Sequence, residues 1–320
     1  MFRLETDMKM SDWRINQWVI PSGFFLVMLP MSFSAISGWL LVLITTLAIL
    51  YTGICFGLHV GQHRLIFKPN QHLKQTPADW GLDYQEVWLR VPGATGEDKI
   101  HGWWVPSPVS SSSVLLYLHG NGGNMGSNLN NIMRFQQLGF DQFLIDYRGY
   151  GLSKGKFPTE SQVYEDAEIA CHYLIEERGI NPKDLFVFGH SLGGAIAIEL
   201  ATRHPKMAGL IVEGTFTSMP DVASYRQIYR LFPIGLLVHQ TFDSISKLRD
   251  LKIPILFIHG SQDDIIPEEM SYRLFAVAGD FKELYIVPNG DHNHVAEIAG
   301  EAYLKQMERF IDQVKQRVGN

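Results

Sequence analysis

Three side-chain types, far apart along the chain, have the identities needed to attack a carbonyl. The stretch Gly189-His190-Ser191-Leu192-Gly193-Gly194 fits Gly-x-Ser-x-Gly, in which a serine sits on a strained turn between a strand and a helix. The residues before it, Asp184 to Gly189, read as a short buried strand, and Ala195 to Arg203 read as a helix. Glycines two before and two after the serine leave room for that turn and lift the hydroxyl clear of the chain. The Leu192 N–H, at the helix start, faces the oxygen that becomes negative during attack.

A serine nucleophile needs a base, and the base needs an orienting acid. With this motif the chain order is Ser, then acid, then His. The acid belongs after a late strand, where His259-Gly260-Ser261-Gln262-Asp263-Asp264 offers Asp263 or Asp264. The histidine belongs after the last strand, where Asn289-Gly290-Asp291-His292-Asn293-His294 offers two rings. A second N–H for the oxyanion belongs in His119-Gly120-Asn121-Gly122-Gly123-Asn124, with the backbone of Asn121 first and Gly122 second. That loop matches neither Gly-rich phosphate signature. Asp291, His292 and His294 lack the helical H-E-x-x-H or cysteine set that a metal site would bring, so neither metal nor cofactor is expected.

The elements that must position these groups alternate. Tyr84–Val91 and Ile100–Val105 form a hairpin around Pro92 to Gly96. Strands are expected at Val114–Leu118, Gln142–Tyr147, Leu210–Val212, Ile253–His259 and Glu283–Val287. Helices are expected at Met125–Leu138, Pro158–Arg178 and His294–Val318. This alternation predicts an α/β fold, a mostly parallel sheet with helices on both faces. All the candidate groups then follow strand carboxyl ends, where such sheets bind ligands. Phe216–Leu251 is longer than a plain crossover and rich in Tyr, Leu, Ile and Phe. It is read as a small cap with apolar walls, or as a helix with an irregular return. Asp146 and Arg148 are read as structural anchors at a strand end, and at least one of Trp103 and Trp104 as core.

Composition limits the partners. Only 19% of the 320 residues are charged and the formal net charge is −6, with no long basic run, so nucleic acid is not expected. The two cysteines, Cys55 and Cys171, form no disulfide framework or metal-spaced pair. From Ile15 to His63 there is no Asp, Glu, Lys or Arg. As one helix that run would reach roughly 74 Å against about 30 Å of bilayer hydrocarbon. It is also far longer than the apolar part of a cleaved leader. Residues 1–63 are therefore read as a membrane anchor of one or two helices. The two are placed near Trp18–Ser34 and Trp39–Val60, with Ser32 to Gly38 as the turn and residues 64–320 as the catalytic domain. Arg3, Lys9 and Arg14 before the run balance Arg64, Lys68 and Lys74 after it. A hairpin with both flanks, and hence the catalytic domain, on the cytoplasmic side satisfies that balance.

From Arg64 onward the chain resembles the α/β-hydrolase superfamily, and within it the membrane-anchored serine hydrolases among the α/β-hydrolase-domain-containing proteins. The carrying residues are Leu65-Ile66-Phe67-Lys68-Pro69, His101-Gly102-Trp103-Trp104-Val105-Pro106, Tyr117 to Asn124, Asp146 to Ser153, the Ser191 turn and Glu213 to Ser218. The resemblance implies an α/β-hydrolase fold and a triad with Ser191 as nucleophile, Asp263 as acid and His292 as base. The chain departs from the group at Asp291, where glycine is common, and at His294, where aspartate is common. A carboxylate next to His292 is expected to favour its protonated form. The implied activity is hydrolysis of a carboxylic ester or thioester through an acyl-enzyme, with a lipid-like acyl chain suiting the apolar anchor and cap. An amidase or peptidase would use the same triad. A catalytically silent membrane scaffold would be free to lose the triad, and this chain retains it.

Overall fold

Val114–Leu118 is apolar at every position, so it must be covered on both faces, and all five residues are buried. In the computed structural model, which describes residues 33–92, 98–109 and 113–318, this strand lies inside an eight-stranded sheet. In chain order the strands are β1 (Gln85–Arg90), β2 (Lys99–Val105), β3 (Val114–Leu118), β4 (Asp141–Asp146), β5 (Leu185–His190), β6 (Gly209–Glu213), β7 (Ile255–Gly260) and β8 (Lys282–Val287). Their spatial order is β8-β7-β6-β5-β3-β4-β2-β1. The β1–β2 and β2–β4 pairs are antiparallel and the other five are parallel. The sequence expectation of a mostly parallel sheet holds.

Two apolar clusters cover the two faces, as the period of two along a strand requires. Leu116, Val187 and Phe257 face α3 (Glu160–His172), α4 (Leu192–Arg203) and α8 (Glu269–Val277). Tyr117, Phe188 and Ile258 face α2 (Leu129–Gln137) and α10 (Glu301–Val318). Trp103 and Trp104 fall on opposite faces, and both are core. Asp146 and Arg148 hold loops, as expected of anchors. The Asp146 carboxylate accepts the Met125 N–H at 2.8 Å, and Arg148 donates to Asp166 through its backbone N–H and Nε.

Three boundaries differ from expectation. The Met125–Leu138 helix opens with a 3₁₀ turn, Met125–Asn128, before α2. The closing helix is broken into α9 (Val295–Ala299) and α10 by Gly300, whose φ of 55° no helix interior accepts. The Ser-rich stretch read as a turn is helical from Phe33, because α1 runs unbroken over Phe33–Ile66. Further along it the Thr45 and Thr46 hydroxyls bond back to the carbonyls of Leu41 and Val42, both at 2.8 Å. The earlier helix placed near Trp18–Ser34 lies almost wholly outside the described residues, as do Gly93 to Gly96 of the hairpin turn. By length and composition, Ser37–Ile66 is enough to cross a membrane.

The chain divides into residues 1–51 and residues 52–320. The second unit therefore includes the last turns of α1, and the domain boundary placed after residue 63 falls inside a continuous helix. The 216–251 segment is a series of short pieces: α5 (Met219–Tyr225), a 3₁₀ turn at Gln227–Leu231, α6 (Ile234–Leu237) and α7 (Ser244–Leu248).

Candidate active site

Ser191 occupies the step from β5 to α4 with φ 53° and ψ −117°, a backbone conformation that L side chains avoid. The surroundings hold it there. Its N–H donates to the Glu213 carbonyl at 2.8 Å, and its carbonyl accepts from the Gly194 N–H and the Thr215 hydroxyl, both at 3.0 Å. The Leu192 N–H is one of the α4 N-terminal donors that no helical carbonyl can satisfy.

The loops after β7 and β8 bring the other two groups to this turn. His292 Nε2 lies 3.0 Å from Ser191 Oγ, and its Nδ1 lies 2.6 Å from Asp263 Oδ2. Ser191 is 9% exposed and His292 6%, and the Asp263 side chain is buried. The Asp263 Oδ1 accepts the N–H groups of Ile265 and Ile266 at 2.9 and 2.8 Å. Asp264 is exposed, so the structure distinguishes the adjacent carboxylates by burial as well as by reach.

Asp291 is committed elsewhere. It accepts the backbone N–H groups of Asn293 and His294 and pairs with His294 Nδ1 at 2.9 Å. The hydrogen bond and charge of Asp291 raise the His294 pKa above the ordinary histidine value. The departure at residue 291 thus acts on the exposed ring of residue 294.

On the oxyanion side, Asn121 is fixed from three directions. Its carbonyl accepts from the Lys68 N–H at 3.0 Å and the Tyr150 hydroxyl at 2.7 Å, and its side chain donates to the Ile66 carbonyl at 3.0 Å. Lys68–Pro69 pairs in parallel with Gly122–Gly123. The last turn of α1 therefore braces the loop that carries Asn121. Gly120, Asn121, Ser191, Leu192 and His292 all line one cavity of ≈ 940 Å³. Its walls differ along its length. Leu58, Leu65 and Ile66 of α1 and Phe216, Tyr229 and Leu237 of the 216–251 segment are apolar, whereas Asn128, Asn131 and Arg134 are polar.

Sequence reasoning assigned no role to three residues next to these groups. His259, at the end of β7, places Nε2 3.3 Å from Asp263 Oδ2 and 2.9 Å from the Ile266 carbonyl, while its Nδ1 faces the Ser271 hydroxyl at 2.6 Å. Nε2 is therefore the donor, and one Asp263 oxygen, Oδ2, faces both imidazoles. His190, the variable residue before Ser191, places Nδ1 3.2 Å from the buried Glu213, whose other oxygen accepts the Tyr303 hydroxyl at 2.7 Å. Burial pushes the Glu213 carboxyl up, but the hydrogen bond and charge of His190 with the Tyr303 hydroxyl outweigh it, and the net shift is down. A polar residue at the carboxyl end of an otherwise apolar strand was the available signal at both positions 213 and 259.

Asp263 also links the site to acid stability. Burial raises its pKa, but hydrogen bonds from His259 and His292, the charge of His292 and the Ile266 N–H lower it further, to well below the usual carboxylate range. A group depressed on folding contributes stability that is fully present above its unfolded value, about 3.9, and lost as pH falls toward its folded value. Wild-type melting temperature is therefore expected to drop more steeply between pH 4 and pH 2.5 than that of Asp263→Asn. Parallel curves in a thermal-shift titration would show that the carboxylate carries no such coupling.

A family model described as serine aminopeptidase, S33, matches residues 110–242. Protein bem46 of Schizosaccharomyces pombe is 33% identical over 248 residues, covering 74% of this chain and 79% of that protein. The α/β-hydrolase domain-containing protein WAV2 of Arabidopsis thaliana is 28% identical, covering 78% of this chain and 87% of that protein. Among solved structures, the Pyrococcus furiosus esterase Pf2001 superposes with a TM-score of 0.64 at 17% identity, covering 77% of this chain and 98% of that one. At that identity the likeness speaks for the fold.

Proposed function

Because the chain belongs to the α/β-hydrolase family, we propose that it is a membrane-anchored serine hydrolase that cleaves carboxylic esters or thioesters through an acyl-enzyme on Ser191. The observation that carries this reading is the continuous hydrogen-bonded path Ser191–His292–Asp263, at 3.0 and 2.6 Å, opening on a cavity with apolar walls.

In the reaction, His292 Nε2 takes the Ser191 proton as Oγ attacks the substrate carbonyl. Asp263 holds the ring through Nδ1–H and stabilises the imidazolium that forms. His259 helps to position Asp263 through the same oxygen, Oδ2. The N–H groups of Leu192 and Asn121 receive the oxyanion, and each such donor lowers the barrier by about 3–4 kcal/mol. Collapse of the tetrahedral intermediate expels the alcohol or thiol with the proton from His292. Water activated by the same ring then releases the acid.

The apolar walls favour an acyl chain, which gains about 0.8 kcal/mol for each methylene it buries. The 216–251 segment acts as the cap that supplies much of that wall. The apolar helix holds the enzyme at the membrane, with the catalytic domain on the cytoplasmic side. The family model's description as an aminopeptidase motivates one comparison, because the triad also suits amides.

A fluorophosphonate probe tests the reading directly. Wild-type protein is expected to be labelled and Ser191→Ala not. An unlabelled wild type, or equal labelling of both, overturns it. On matched substrates, long-chain ester and thioester are expected to exceed amide turnover, and preferred cleavage of the amide would move the assignment to a peptidase.

A further inference from the structure

The stretch between Asp221 and Asp243 carries no acidic residue, but it carries Arg226 and Arg230 and is dense in Leu, Ile, Tyr and Phe. Its side chains divide into two sets. Val222, Tyr229, Ile234, Leu237 and Val238 face the cavity that contains Ser191. Tyr225, Ile228 and Leu236 turn outward and are 53%, 62% and 83% exposed. Single exposed apolar residues are ordinary, but with Leu231, 67% exposed, four fall within twelve positions beside two arginines and make a surface that water does not favour.

This stretch is clamped to α1. Gln62, only 5% exposed, donates through Nε2 to the Leu237 carbonyl at 3.1 Å and faces His239 Nδ1 at 2.6 Å. Its Oε1 accepts the N–H groups of His239 and Gln240, both at 3.0 Å. One turn earlier, His59 Nδ1 donates to the same Leu237 carbonyl at 2.8 Å. Leu236 is therefore next in sequence to the clamped carbonyl. Around the clamp α1 itself exposes Phe56, Val60 and Leu65, at 68%, 53% and 53%.

We propose that the outer face of residues 225–236 is seated in the bilayer beside the last turns of α1, so that the acyl chain enters the cavity from lipid rather than from water. The proposal rests on the membrane-anchored reading above. The occupant is lipid because the exposed face is clamped beside the last turns of α1, where Phe56 and Val60 are also exposed, and the run Ser37–Ile66 to which those turns belong is long and apolar enough to cross a membrane. The charge agrees too: Arg230, whose Nε donates to the Ser224 carbonyl at 3.0 Å, has further guanidinium donors to offer phosphates while its stem lies in the apolar layer, and Arg226 lines the cavity. The inner side of the same stretch, with Leu58 and Leu65 of α1, lines the cavity, so one thin wall separates lipid from the site.

The test uses the full chain in nanodiscs of phosphatidylcholine with anionic phosphatidylserine, in a Cys55→Ala background. An environment-sensitive nitrobenzoxadiazole label is attached at Ile228→Cys, Leu236→Cys or, as a control on the 68%-exposed Lys305 of α10, Lys305→Cys. Nitroxide lipids are expected to quench the labels at 228 and 236 by more than half and the label at 305 by less than a tenth, with iodide giving the reverse. Iodide quenching at 228 and 236 equal to that at 305 overturns the proposal. So does shielding from both quenchers, which would mean a second copy or a protein partner covers the face.

A second arm reads function. The double variant Ile228→Ser, Leu236→Ser is expected to lose at least tenfold on a long-chain ester presented in vesicles. It is expected to change less than twofold on soluble p-nitrophenyl acetate and to keep its fluorophosphonate labelling. Equal loss on both substrates would mean a folding role and overturn the proposal. Failure of wild-type labelling would count against the serine hydrolase and leave the quenching result to stand or fall by itself.

Discussion

Replacing Ser191 with alanine is expected to lower kcat/KM on an activated ester by about 10⁴–10⁶-fold, and adding His292→Ala to that variant to cost nothing further. In the proposed reaction the two side chains perform one operation. Without Oγ there is no nucleophile for the imidazole to activate, and without Nε2 at 3.0 Å the hydroxyl keeps its proton. Asp263→Asn is expected to cost about 10⁴-fold, because an amide facing Nδ1 favours the wrong tautomer and cannot offset the imidazolium charge. Some rate above water is expected to survive in each variant, since the Leu192 and Asn121 amides proposed to receive the oxyanion are untouched. Ser191→Gly separates chemistry from strain. It is expected to be as inactive as Ser191→Ala but to melt higher, because glycine accepts φ 53° at no steric cost and serine and alanine do not. Steady-state kinetics and thermal melts of the variants check both parts. Additive losses in the Ser191→Ala, His292→Ala double variant would show that the two residues do not share a step.

Those long-range pairings were legible because the motif and chain order fix where each group leaves the sheet. A run such as Leu115 to Leu118 must be an interior strand; Asp263 follows a further interior strand, β7, and His292 follows the edge strand β8. What stayed hidden depends on tertiary geometry alone. Nothing in the local sequence separates Asp263 from Asp264, and the resemblance was needed to choose between them. Nothing shows that Asp291 turns to His294, because adjacent side chains leave the backbone in different directions. The contact of Glu213 with His190 depends on strand register, which pairs the two residues directly. The bracing of Asn121 by Ile66 spans 55 residues and no pattern records it.

That bracing changes how the apolar helix is understood. A pure tether could be exchanged for any apolar helix. Here Leu58, Leu65 and Ile66 line the cavity, Gln62 holds the 237–240 backbone, and Ile66 and Lys68 hold the oxyanion loop. Residues 52–66 accordingly group with the catalytic unit and residues 1–51 do not. The break between the two compact units thus falls inside the helix, between residues 51 and 52, ahead of the point where charge returns at Arg64.

Gly193→Ala is expected to destabilise the protein by at least about 4 kcal/mol, the range reached when a packed interior has no room for the added atom. A Cβ at this position would lie 2.0 Å from the Leu118 carbonyl oxygen and 2.6 Å from that of His119. The Leu118 residue closes β3 and is paired to β4 and β5, and the His119 carbonyl just beyond it accepts the Tyr147 hydroxyl at 3.0 Å, so neither yields without breaking those bonds. The partner glycine is as constrained, since a Cβ on Gly189 would lie 2.3 Å from the Gly193 carbonyl oxygen. The two glycines thus let the turn close on itself while α4 lies against the sheet. Gly235→Ala provides the contrast. Its new methyl would meet nothing within 4 Å, and in the short helix α6 it is expected to stabilise by about 0.4–1 kcal/mol. Pulse proteolysis in denaturant, run on wild type and both variants in nanodiscs, measures the difference. If Gly193→Ala resisted proteolysis like wild type, α4 would have to stand off the sheet. The Leu192 amide would then be displaced with it, and the fluorophosphonate label would be lost from a folded protein.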